Sequence, residues 1–379
     1  MEQIQFTAIV LMSLLTLKLL LLPSKVTVNP IIKRAWWLMT IGIALIDVQF
    51  LLQYILRLRA LGITQAVMLN LALFIPASWL LSISIICLQR RGFISRRDQY
   101  AGLLTWGIAM GLLAFAAATD NQPLLAGSPE MRQAEIVASV FYTAMMAFYM
   151  WRHVKNMRLL LRALKNYYDE DLDDLLRWMR VSVIMLPILG SIVPLIIFTN
   201  GSWLFFFGLL MFLFIFFLVD SFFNYVVSSA PARIQEAEEH EDDDEADEEH
   251  SQADRPLIAM DAAPMQRVEH AVEKWVANGG YLRNGIKQPY VAEELGVPRY
   301  QLTMWLHNQN LKYADWITEL RVEEAKHILG EHPDWSTEAI SQHCGFSDRS
   351  YFQRKFKEKT GLSPSDYQAI VGKDIKTRS

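Results

Sequence analysis

The chain has 379 residues, 52% of them hydrophobic, with 36 Lys/Arg against 40 Asp/Glu and a formal net charge of −4. That length exceeds one ordinary domain, and the average charge describes no part of it: residues 1–231 carry 18 bases and 12 acids, residues 232–254 one base and 12 acids, and residues 255–379 17 bases and 16 acids. A single soluble enzyme is excluded, and the isolated Cys87 and Cys344 offer neither a disulfide framework nor a cysteine-based metal site.

Seven apolar runs come first, near residues 4–22, 36–56, 67–88, 101–119, 134–151, 181–199 and 203–227. Each approaches the ~20 residues that a helix needs to cross a bilayer's hydrocarbon layer. Lys18 inside the first run speaks against a cleavable signal peptide. The loops 23–35, 89–100 and 152–180 together hold 14 bases, whereas the opposite side has only Arg57, Arg59 and Arg132. Because Lys/Arg-rich short loops stay in the cytoplasm, seven spans put the N-terminus outside and everything after Val227 inside. Trp36, Trp37, Trp106, Trp151 and Trp203 fall near span ends, as an interfacial belt requires. The longest outer loop, 120–133, is too short to fold as a sensor, so an external stimulus must be felt by the helices themselves.

Charges inside spans are costly unless paired or wet. Asp47, mid-way along the second span with Gln49 and Gln53 extending a polar stripe, has either a signal or ion role or an internal structural partner. Lys18 and Asp220, near inner ends, are expected to snorkel or meet water. Pro76, Pro187 and Pro194 can kink their spans. The loop 152–180 reads as a basic helix (Arg152, Lys155, Arg158, Arg162), suited to anionic headgroups, followed by an acidic turn from Asp169 to Asp174. The tract from Glu236 to Asp254 is a block of like charge that cannot bury enough surface to fold, hence an extended tether. It is either a spacer or a nucleic-acid mimic that competes for the domain beyond it.

Residues 264–370 read as nearly all helix, and one pattern occurs in them twice. Val291-Ala292 precede Gly296-Val297, then Leu302 and Leu306; Ile340-Ser341 precede Gly345-Phe346, then Phe352 and Phe356. Each copy is a short helix, a glycine able to turn left-handed and a second helix anchored by apolar residues four apart. That is the arithmetic of a helix-turn-helix, whose second helix enters the DNA major groove. A long amphipathic helix from about Tyr313 to Leu329 joins the copies, with Trp316, Ile317, Leu320, Ile328 and Leu329 on one side.

The segment Leu320–Leu329 resembles the linker helix of the AraC/XylS family of bacterial transcription regulators. The run Gly345–Lys357 is similar to that family's second recognition helix, and Gly361-Leu362-Ser363-Pro364-Ser365-Asp366-Tyr367 to its closing motif. The resemblance covers residues 286–370. It implies double-stranded DNA as partner, read by Arg349, Ser350, Gln353, Arg354 and Lys357 on the second helix and by Arg299, Tyr300 and Thr303 on the first. Arg and Gln suit guanine and adenine edges. Lys355, Lys357 and Lys359 lie close by, and residues 349–379 hold 8 bases against 3 acids, a local excess able to neutralise phosphates. Met304, Asn310 and Gln368 depart from the family pattern, so the second motif is expected to carry more of the specificity.

No phosphate-binding loop, kinase motif or metal-ligand helix occurs, the histidines are scattered, and no cofactor is implied. The sequence therefore reads as an all-α protein: a seven-transmembrane-helix bundle (1–231), an acidic linker (232–255) and an AraC-type double helix-turn-helix domain (256–379). The expected function is a membrane-anchored, sequence-specific transcription regulator of the bacterial inner membrane, partnered by DNA, the lipid bilayer and possible pairing into a homodimer. A receptor- or transporter-like protein whose helical tail binds another protein, and a regulator freed by proteolysis, are the alternatives.

Overall fold

The computed structural model describes residues 2–22, 29–58, 63–119, 127–169, 176–197, 203–228, 262–332 and 334–370. The acidic tether, the acidic turn beyond Asp169 and the bases after Ile370 lie outside them. The described regular elements are all helices. The chain divides into two compact units, Met1–Leu160 with Asp174–Arg233, and Leu161–Asp173 with Ile234–Ser379.

The first unit is built from α1 (Glu2–Leu20), α2 (Pro30–Ile55), α3 (Ile63–Gln89), α4 (Arg96–Thr119), α5 (Pro129–Tyr167, whose residues from Leu161 on belong to the second unit), α6 (Arg177–Ile197) and α7 (Trp203–Val227). Four of these (α2, α3, α4 and α5) and the Phe206–Val227 part of α7 are long and apolar enough to cross a membrane; Phe6–Leu20 is a shorter apolar segment. Helix starts follow local chemistry. Asn29 caps α2 by accepting from the Ile31 N–H at 2.9 Å, with Pro30 in the first turn, where its missing N–H costs nothing. The expected span 134–151 and the basic stretch after it form one unbroken helix, α5, of 39 residues. At 1.5 Å per residue it is about 58 Å long.

Inside the unit, polar groups find each other, because apolar surroundings supply no partner. Gln49 and Gln53, one helical turn apart, both donate to Asn70 Oδ1, at 2.7 and 2.6 Å. Asp47 lies on another face of α2 and accepts from Ser13 Oγ at 3.1 and 3.0 Å. The expected stripe from Asp47 through the glutamines is thus two separate polar contacts: steps of two and six residues turn a helix by about 200° and 240°. Lys18 and Asp220, expected to snorkel separately, form an ion pair. Arg152, expected to face headgroups, grips the buried carboxylate of Asp98 at 2.7 and 2.8 Å.

The second unit contains α8 (Ala262–Ala277), a 3-10 turn (Gly280–Leu282), α9 (Gln288–Leu295), α10 (Arg299–Asn308), α11 (Tyr313–Glu331), α12 (Thr337–His343) and α13 (Arg349–Thr360), then a helical segment at 364–370. Two cores hold it. Val291, Leu302, Trp305, Leu306, Tyr313, Trp316 and Ile317 fill the first, with Val268, Val272 and Trp275 of α8. Val322, Ala325, Ile328, Leu329, Ile340, Cys344, Phe346, Tyr351, Phe352 and Phe356 fill the second. Helix α11 supplies residues to both, so one rigid rod carries the two motifs.

Candidate nucleic-acid interface

Both turns are built as their glycines predict. Gly296 and Gly345 have φ +64° and +79°, the left-handed region open to glycine at little cost. Around Gly296 there is open space, whereas a Cβ on Gly345 would run into the backbone carbonyl of Leu282. Asn310, which replaces a usual glycine after α10, has φ +57°. Asparagine is among the few side-chain-bearing residues that tolerate this region, so the departure leaves the fold intact.

Helix α13 begins at Asp348, whose carboxylate accepts from the Tyr351 N–H at 2.7 Å. Its inner face, Tyr351, Phe352, Lys355 and Phe356, is buried; on its outer face Arg349, Ser350, Arg354 and Lys357 are exposed and Gln353 half-buried. All five expected reading residues therefore share one side of one helix. Arg354 leans over the Tyr351 ring at 5.4 Å, which braces its guanidinium. The other lysines are placed differently from the sequence expectation. Lys355 is buried against the second core and donates to Glu358, and Lys359 pairs with Glu319 on α11.

The first motif is more enclosed. Arg299, Tyr300 and Thr303 are all half-buried. Arg299 Nε donates to Gln288 Oε1 at 2.9 Å, and Gln288 Nε2 donates to Thr303 Oγ1 at 3.0 Å. Gln288, absent from the sequence reading, thus ties two expected reading residues to the start of α9. Arg299 also lies 5.7 Å from the Tyr167 ring centre, a residue at the end of α5 that belongs to this same compact unit.

Comparison with known proteins agrees with this geometry. Residues 291–370 match the helix-turn-helix domain family. That stretch spans both motifs and the rod between them, in the part of the chain that resembles AraC-type regulators. An uncharacterized HTH-type transcriptional regulator of Escherichia coli K12, YpdC, is 25% identical over 105 residues, 26% of this chain and 34% of the relative. The regulatory protein PocR of Salmonella typhimurium is 27% identical over 77 residues, 20% and 25% of the two chains. The Msm operon regulatory protein of Streptococcus mutans is 30% identical over 82 residues, 21% and 29%. The chain thus spans about a third or less of these relatives' lengths. No solved structure matches it.

Proposed function

We propose that the protein is a non-enzymatic, DNA-binding transcription regulator, anchored in the bacterial inner membrane by the helices of its first unit. Its C-terminal unit reads double-stranded DNA from the cytoplasm, and the membrane helices sense the stimulus, with Asp47 as a candidate signal site. The observation that carries the reading is α13: a stripe of Arg349, Ser350, Gln353, Arg354 and Lys357, fixed at the second helix of a helix-turn-helix by an inner face whose Tyr351, Phe352 and Phe356 are buried in the second core. The helix-turn-helix match and the regulatory names of the relatives support it. The count of seven spans, the outside N-terminus and pairing of two chains on adjacent half-sites belong to the same proposal. Pairing in the bilayer would raise the effective concentration of the second domain without any new DNA contact.

The test is selection of random duplex DNA by the full chain in detergent micelles, alongside an Arg349→Ala/Arg354→Ala double variant. One enriched sequence, bound less tightly as salt rises and lost in the variant, is the expected result. No enrichment by folded protein, or equal enrichment by the variant, overturns the DNA-reading role and leaves a protein-binding tail. For topology, a fluorescent protein that matures only in the cytoplasm, fused after Ser379, is expected to glow.

A further inference from the structure

The stretch Tyr167-Tyr168-Asp169 contains the last residue of α5, which starts at Pro129, and the two that follow it, yet it is built into the helix-turn-helix unit. Asp169 is 2% exposed, and Oδ2 accepts from the backbone N–H groups of Gly285 and Ile286, both at 3.1 Å, and from Arg321 Nη2 at 2.7 Å. Arg321 is wholly buried in the middle of α11, where Nε and Nη2 also donate to the carbonyls of Tyr281 and Arg283. Tyr168 pairs with Lys287 as an isolated antiparallel bridge. Tyr167 and Tyr168 are 2% and 4% exposed, with the Lys287 ammonium 5.7 and 5.8 Å from their ring centres. The Tyr167 ring also lies beside Arg299, the first residue of the first reading helix.

A buried carboxylate shared by an arginine and two backbone amides is a specific, directional grip rather than a chance surface contact. Its ligands span the loop before α9 and the rod α11, so it clamps the first motif at its base. The Tyr167 ring meanwhile packs beside the Arg299 guanidinium, 5.7 Å from it, so a phosphate or base would have to compete with the ring for that group.

We propose that Tyr167-Tyr168-Asp169 is an internal clasp that holds Arg299 back from DNA, and that displacement of α5 by the membrane-sensed stimulus releases it. This rests on the DNA-binding reading above and adds to it the surface through which binding is controlled. When the clasp is closed, DNA meets only the second motif. When it opens, the Tyr167 ring leaves Arg299 and the first motif can meet DNA as well. Apparent DNA affinity then scales with the fraction of chains in the open state.

The test uses the full chain with Tyr168→Cys and Lys287→Cys together. Residues facing each other in an antiparallel pair have Cα atoms about 4.5–5.5 Å apart, within the range a disulfide bridges. The native Cys87 and Cys344 are both buried, and each single variant controls for them. Oxidation is expected to yield an intrachain crosslink in membranes, and the crosslinked chain to bind its selected DNA at least about tenfold more weakly than after reduction. Asp169→Asn, which keeps an acceptor but removes the ion pair, is expected to bind more tightly than the unmodified chain. If that variant merely unfolded the domain, binding would fall instead. A crosslink with unchanged affinity makes the contact a brace and overturns the proposal, as does failure to crosslink. If the reduced chain binds no DNA, the regulator reading itself has failed, and the crosslink yield separates that result from an absent clasp.

Discussion

Gly345 and Gly361 both have φ +79°, but their surroundings differ: a Cβ on Gly361 meets open space, and one on Gly345 meets the Leu282 carbonyl and Cα. Replacing either by alanine incurs the left-handed penalty, about 1–2 kcal/mol. At Gly345 the collision with fixed backbone adds about 1–3 kcal/mol of overpacking. The 3-10 turn carrying Leu282 packs on the first core, so relief requires the second motif to shift away from the first. Cys344 reports the opening. Its thiol is fully buried, and burial with the nearby Glu324 pushes its pKa up to about 12, so alkylation at neutral pH must wait for the second core to open. In a Cys87→Ala background, Gly361→Ala is expected to speed labelling about 5- to 30-fold, and Gly345→Ala about 30-fold or more, at tenfold per 1.4 kcal/mol. Labelling in strong denaturant corrects for altered intrinsic reactivity next to the thiol. Equal rates in the two variants, or a faster Gly361→Ala, would refute the argument that the close approach to Leu282 defines how the motifs dock.

Other substitutions test separate parts of the same unit. Asp348→Ala removes the cap that receives the Tyr351 N–H and should cost about 1 kcal/mol by urea denaturation, with Asp348→Asn recovering most of it. Asn310→Gly should leave stability within about 0.5 kcal/mol, whereas Asn310→Val, a branched residue at φ +57°, should cost more than 1 kcal/mol by the same measurement. Lys357→Ala should weaken all duplexes alike and lower the salt slope by about one, while Gln353→Ala relaxes the choice of base, both read from binding titrations at several salt concentrations. Hydrogen bonds from Arg283, and secondarily from Trp275, hold the Glu294 carboxyl below its ordinary 4.5. A depressed acid stabilises the folded state above its unfolded pKa and loses that effect as pH falls through the folded value. The stability gap between the native chain and Glu294→Gln should therefore be present at pH 6 and shrink as the pH falls below the ordinary carboxyl value of 4.5.

Most of the C-terminal unit was legible because its signals are local. Glycine at a left-handed turn, apolar residues four apart and an amphipathic rod all act within a dozen positions, and the helices α9 to α13 follow them closely. Of the seven apolar runs expected in the first unit, five coincide, among the described residues, with helices long and apolar enough to cross a membrane, since length and hydropathy decide them. What failed there was pairing across helices. Asn70, which receives both Gln49 and Gln53, stood out in no periodic pattern, and Lys18 with Asp220 was read as two solitary charges although 202 positions of chain separate a bonded pair.

The residues expected to read DNA show the same division. The outer face of α13 follows from helical geometry once Phe352 and Phe356 are assigned inward, which also explains why Lys355, three positions after Phe352 and next to Phe356, turns to the core. The enclosure of the first motif was not legible, because its causes, Gln288 and the end of α5, lie outside the recognition helix. Yet one sign was present. Ile317, Arg321, Ala325 and Ile328 recur at the spacing of a single buried helix face, and an arginine at such a position requires an anion brought in from elsewhere. Periodicity can announce that such a partner must exist. It cannot say that the partner is Asp169, 152 positions upstream at the end of another helix, because that choice is made by the fold of the whole unit.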